Sequence, residues 1–75
     1  MLELEAQSFR VPVIIRGIHK TMSLTRQGEM WTLEGEGLGA IARSSREVFV
    51  SALGIIDGKK AVRIWEEQEE GGENI

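Results

Sequence analysis

Apolar and polar residues alternate with a period of two through much of the first half of the chain. In FRVPVIIR, Phe9, Val11, Val13 and Ile15 share one face while Arg10, Pro12, Ile14 and Arg16 share the other, as in a half-buried strand. Pro12 has no N–H to donate, so this strand belongs at a sheet edge or contains a bulge. A second alternating stretch places Met22 and Leu24 against Thr21, Ser23 and Thr25, and a third, after a turn at Gln27-Gly28, places Trp31 and Leu33 against Met30, Thr32 and Glu34.

The second half is less regular. Ser44 and Glu47 stand at capping-box spacing, and Val48, Phe49, Ala52, Leu53 and Ile56 would line one face of a helix. Against a helix stand the run Val48-Phe49-Val50 and an interior Gly54, which lower helix propensity. The balance favours a strand, with a helix near 44–56 as the alternative. Asp57-Gly58 separates two apolar runs and suits a type I′ hairpin turn. The pattern therefore predicts an all-β fold, a small antiparallel barrel or sandwich of five to six short strands near residues 9–17, 20–26, 29–35, 38–43, 47–55 and 60–66. An α+β arrangement, β-β-β-α-β, is the alternative. Residues 1–66 form the single domain, with Leu2 and Leu4 in a short added strand, and 67–75 an acidic, disordered tail.

Size narrows the functional classes. A chain of 75 residues is close to the lower limit for a self-sufficient core, since a 60-residue domain hides only about 60% of its unfolded surface. Without cysteine, and with His19 alone, neither a disulfide nor a zinc cage can support it. Assembly with copies of itself is the support that remains. In a strand over 60–66, Trp65 shares the outer face with Ala61 and Arg63, so its ring would sit outside the monomer core. Together with Pro12 and Ile14 it is an interface candidate.

Charge is unevenly distributed beneath a net of −3. Residues 10–65 hold all nine basic side chains against five acids, whereas the two ends hold seven acids. The basic body supplies a second candidate surface for nucleic-acid phosphates, built from Arg10, Arg16, Lys20, Arg26, Lys59, Lys60 and Arg63, with the acidic tail as a shield. Aromatic residues do not interleave with these positions as a base-stacking platform requires. The chain also lacks a secretory start and an apolar run long enough to span a membrane, which points to a soluble, cytoplasmic protein with no membrane partner.

Catalytic and cofactor signals are weak. EGEGLGA, residues 34–40, has three alternating glycines, but Glu34 and Glu36 would repel a phosphate and the loop lacks a Gly-Lys-Ser/Thr ending. Its glycines are expected to reverse the chain between two strands. Ser44 or Ser45, His19 and Asp57 supply triad residue types without a spacing that joins them. No enzymatic activity and no cofactor are expected.

The Phe9-led strand and the segment Leu24-Thr25-Arg26 resemble the tryptophan-sensing RNA-binding attenuation proteins over roughly a third of the chain, which implies a ring of β-rich subunits. The likeness departs at Ala52, Gly54 and Gly58, where that family carries polar ligand contacts, and Val62-Arg63 meets half of its RNA-contact pattern. The function expected from the residues is a non-enzymatic interaction module that acts by homo-oligomeric assembly and protein contact. Binding of RNA or single-stranded DNA is the alternative.

Overall fold

A computed structural model describes residues 6–73 as a four-stranded antiparallel sheet followed by two helices. Strands β1 (Ala6–Ile15), β2 (Ile18–Gln27), β3 (Met30–Gly35) and β4 (Leu38–Ala42) are ordered as they occur in the chain. Helix α1 (Ser45–Leu53) packs over β3 and β4, and α2 (Ile55–Glu73) packs along β1 and α1. The sheet is open, with β1 and β4 as its edges. This corrects the expected all-β barrel or sandwich. The alternative holds in class, α+β with a helix within 44–56, but its β-β-β-α-β order fails, because four strands precede the helices and the last element is helical.

Short turns fix the strand register. Arg16-Gly17 and Glu36-Gly37 have φ values of 52° and 81°, and of 51° and 74°, the paired positive values of type I′ turns. A side chain at the first of these positions is strained. Each is held by a contact beyond its turn: the Arg16 N–H donates to Asp57 Oδ2 at 3.1 Å, and Glu36 forms an ion pair with Lys20 at 3.3 Å. The EGEGLGA stretch is thus the β3–β4 hairpin.

With this register, the alternation seen in the sequence places Phe9, Val11 and Val13, Met22 and Leu24, Trp31 and Leu33, and Ala40 and Ala42 on one sheet face. Val11, Val13, Met22, Leu24 and Leu33 are buried there beneath the helices. The opposite face has no layer over it. It presents Arg10, Pro12, His19, Thr21, Ser23 and Glu34 to solvent. Pro12 is accommodated because β1 has a strand neighbour on one side alone.

The segment expected to be strand at 47–55 is helix α1. Its cap is the one the Ser44/Glu47 spacing announces: Ser44 is extended, and its hydroxyl accepts the Glu47 N–H at 3.1 Å. Val48 and Phe49 have modest helix propensity, but both are fully buried in the core, and burial of side chains this large outweighs a propensity deficit of a few tenths of a kcal/mol. Gly54, at φ 91°, ends α1 by donating its N–H to the Val50 carbonyl, and its own carbonyl accepts the Gly58 N–H. One residue therefore serves both helix ends and turns the chain sharply.

Asp57-Gly58 is consequently the first turn of α2 and not a hairpin. Gly58 is buried where the helices cross, and a Cβ there would lie 2.5 Å from Val50 Cα and 2.8 Å from the Phe49 carbonyl oxygen. Ala61 continues the same small-residue stripe, and Trp65, one further turn along, reaches past α1 into the core. Its ring meets Phe9 edge-on at 5.0 Å and Trp31 at 6.3 Å. Trp65 is only 5% exposed, which corrects the expectation that it sits outside the monomer core. The cause is periodicity: in a helix Ala61 and Trp65 share a face that Arg63 does not. Helix α2 also continues through residues 67–73 of the segment expected as a tail. Leu2 and Leu4, with the added strand expected of them, lie outside the described residues.

Two stability predictions follow from this crossing. Gly58→Ala should destabilise the fold by about 1–3 kcal/mol in urea unfolding, opposite in sign to the gain of about 1 kcal/mol at an unhindered helical glycine. Trp65→Ala should cost about 3–5 kcal/mol by the same measurement, because it empties the junction of β1, β3 and α2.

Candidate functional site

The turns β1–β2 and β3–β4 lie at the same end of the sheet, and the α1–α2 corner meets them there. The Arg16–Asp57 hydrogen bond joins the first turn to α2. A cleft of about 310 Å³ runs between Ile15, Glu36, Leu38, Leu53 and Asp57. Leu38, 37% exposed, lines this cleft; Ile18, 57% exposed, pairs in the sheet with its lining residue Ile15, and Ile55 and Ile56, 66% and 72% exposed, directly precede its lining residue Asp57. Two further large apolar residues in the described chain, Met30 and Ile41, are exposed on the open sheet face. The concentration at one end arises because the sheet outruns its helical cover: Ile18 pairs with Ile15, and Leu38 with Gly35, at the limit of the core-facing rows.

A second surface is built on α2. Lys59, Lys60 and Arg63 gather here, and Arg46 of α1 approaches them across a groove of about 390 Å³ floored by Val50 and Val62. Arg46 is engaged with Glu66 at 2.8 Å. On the other side of Arg63, a shallower hollow contains Ile14 of β1 with Lys60, Ile64 and Glu67. Ile14, an expected interface residue, is thus half-buried beside the helix, whereas Pro12 is exposed on the uncovered sheet face. Trp65 is enclosed in the core.

The remaining basic candidates do not converge with these. Arg10 projects from the open sheet face, and Arg16 occupies a hairpin turn. Lys20 is paired with Glu36. Arg26 places its guanidinium 5.3 Å from the Trp31 ring centre and donates from Nε to the Gly28 carbonyl at 3.3 Å, so it stacks within its own chain. All four aromatic residues, Phe9, Trp31, Phe49 and Trp65, belong to the helix-covered side or to the core beneath it. The uncovered sheet face consequently carries no Phe or Trp, and His19 is the one aromatic ring on it, short of the run of aromatics a base-stacking platform uses.

The triad residue types do not form a site either. Ser44 Oγ caps α1 and Asp57 Oδ2 receives the Arg16 N–H. Among the described residues, no group of three or more His, Asp or Glu side chains is placed to hold a metal, and no helix is long and apolar enough to cross a membrane. No family model matches the chain, and no curated protein or solved structure shows significant similarity to it. The likeness to the attenuation proteins therefore gains no support beyond its short segments. Of those segments' departures, Ala52 lies in α1, Gly54 at the corner and Gly58 in the helix crossing.

The sequence pattern does not announce Ile18, Leu38, Ile55 and Ile56 as a surface, because it places Ile55-Ile56 on the approach to a hairpin at Asp57-Gly58. The available signal was Gly54 directly before them, a helix-ending residue that leaves the next helix to begin with two isoleucines. Replacing both with Ser should change unfolding stability by no more than about 1 kcal/mol, as expected at exposed positions, while lowering the tendency to self-associate in sedimentation at high protein concentration.

Proposed function

We propose that this chain is a non-enzymatic interaction module that works by assembling with copies of itself and by contacting protein through its apolar end. The observation that supports it most is the exposure of Leu38, which lines the cleft, and of Ile18, Ile55 and Ile56, which neighbour its lining residues Ile15 and Asp57 in register or along the chain, since scattered surface hydrophobics are ordinary but a gathered patch favours a partner. The small core adds to this: covering aliphatic surface between subunits stabilises a domain that has little apolar area to bury alone. The setting proposed is cytoplasmic. Light scattering across micromolar concentrations should give a mass above the 8.4 kDa of one chain. A mass of 8.4 kDa throughout, with cooperative unfolding, would contradict homo-oligomeric action.

Nucleic-acid binding is retained as a second reading because Lys59, Lys60 and Arg63 share one helix beside Arg46. With Phe49 and Trp65 buried and Phe9 and Trp31 half-buried on the helix-covered side, such binding would be chiefly electrostatic. Anisotropy titrations with single-stranded RNA should then show affinity falling steeply with salt, with a slope near −0.7 per phosphate contact. Absence of binding at low ionic strength would remove this reading.

A further inference from the structure

The outward stripe of α2 has a charge order that is unfavourable for a solitary helix and complementary to its own reverse. Lys59, Lys60 and Arg63 occupy the N-terminal half, Glu66 and Glu67 follow, and the sequence adds Glu69, Glu70 and Glu73 towards the C-terminal end. Asp57 is the acid in the first turn, and the last turn contains no basic residue. The helix dipole favours anions at the N-terminus and cations at the C-terminus. Most charges on α2 are arranged the other way.

At the spacing of a helix, Ile56, Lys60, Arg63, Ile64 and Glu67 form a single stripe on the side away from Gly58, Ala61 and Trp65. Ile56, Lys60, Arg63 and Glu67 are exposed, and Ile64 is half-buried against the hollow that also contains Ile14. Lys60, Arg63 and Glu67 take part in neither of the ion pairs found among the described residues. Resting on the proposed homo-oligomeric action, we infer that two copies pair through this stripe, with their α2 helices antiparallel about a two-fold axis between Arg63 and Ile64.

That axis sets Lys60 of one copy opposite Glu67 of the other, and the reverse contact follows from the symmetry. A two-fold interface must be complementary to itself, and this patch is: its basic and acidic positions are equidistant from the axis. Ile64 and Ile14 supply the apolar centre. Antiparallel pairing also sets each helix's basic half beside the neighbour's acidic half and opposes the two dipoles. The β1 edge beside the stripe contains Pro12, which lacks a donor, so continuous strand pairing across that edge is disfavoured and helix pairing takes its place.

The test is a charge exchange read by sedimentation equilibrium, with circular dichroism to verify folding. The wild-type chain should dimerise, giving twice the 8.4 kDa monomer mass. Lys60→Glu and Glu67→Lys should each raise the dimer dissociation constant by about tenfold, since each places like charges together at two symmetry-related points. The double variant Lys60→Glu/Glu67→Lys, and an equimolar mixture of the two single variants, should both restore dimerisation. Association that is unchanged when either charge is reversed, but lost when Ile18 and Leu38 of the apolar end are replaced by Ser, would overturn the α2 pairing and leave the assembling function intact. A wild-type chain that stays at 8.4 kDa would overturn both.

Discussion

The close crossing of α1 and α2 at Gly58 is the constraint on which the other contacts depend. The absence of a side chain there lets the α2 backbone lie against Val50, and this approach sets the level at which α2 runs over the sheet. Two turns further on, Trp65 is delivered between Phe9 of β1 and Trp31 of β3. The first turn of α2 simultaneously offers Asp57 to the strained Arg16 turn. Packing of the core, docking of the hairpin and the outward stripe of α2 all follow from one glycine in a position where any Cβ would collide with backbone.

The β half of the molecule was legible in the sequence because its determinants are local. Alternation at Phe9–Ile15 and Met22–Leu24 specifies which face is buried, and Gln27-Gly28 and the glycines of EGEGLGA mark two of the three reversals, whereas the turn at Arg16-Gly17 falls inside the strand expected over 9–17. The helical half was legible only at its cap, Ser44. Val48-Phe49-Val50 has strand-like composition, and Asp57-Gly58 is a favourable hairpin pair; both signals lose to tertiary contacts that no short window contains. The apolar face of a four-stranded sheet requires a cover, and helices with buried Val48, Phe49, Ala61 and Trp65 supply it. Once Trp65 is placed at helical period, its ring moves from the expected outer surface to the core.

The candidate surfaces were legible in composition but not in place. The basic body of the chain was evident, yet the fold separates Arg10, Arg16, Lys20 and Arg26 and gathers Lys59, Lys60 and Arg63, because the last three share one helix while the others are distributed over strands and turns. The exposed isoleucines at 55 and 56 acquire meaning from the hairpin turns beside them, a neighbourhood set by sheet topology. Ile14 was identified from its strand, but its companions Ile64 and Glu67 come from a segment that had been assigned elsewhere.

A single thiol gives the most direct test of assembly through α2, because the natural chain has no cysteine. Ile64→Cys and, on the uncovered sheet face, Thr21→Cys should be treated separately with a short bifunctional thiol cross-linker and resolved under denaturing conditions. Pairing about the proposed axis brings the two copies of residue 64 together, so Ile64→Cys should yield a covalent dimer at concentrations where Thr21→Cys remains monomeric. Equal cross-linking of the two variants, or none at position 64 under conditions in which the chain is dimeric, would contradict it.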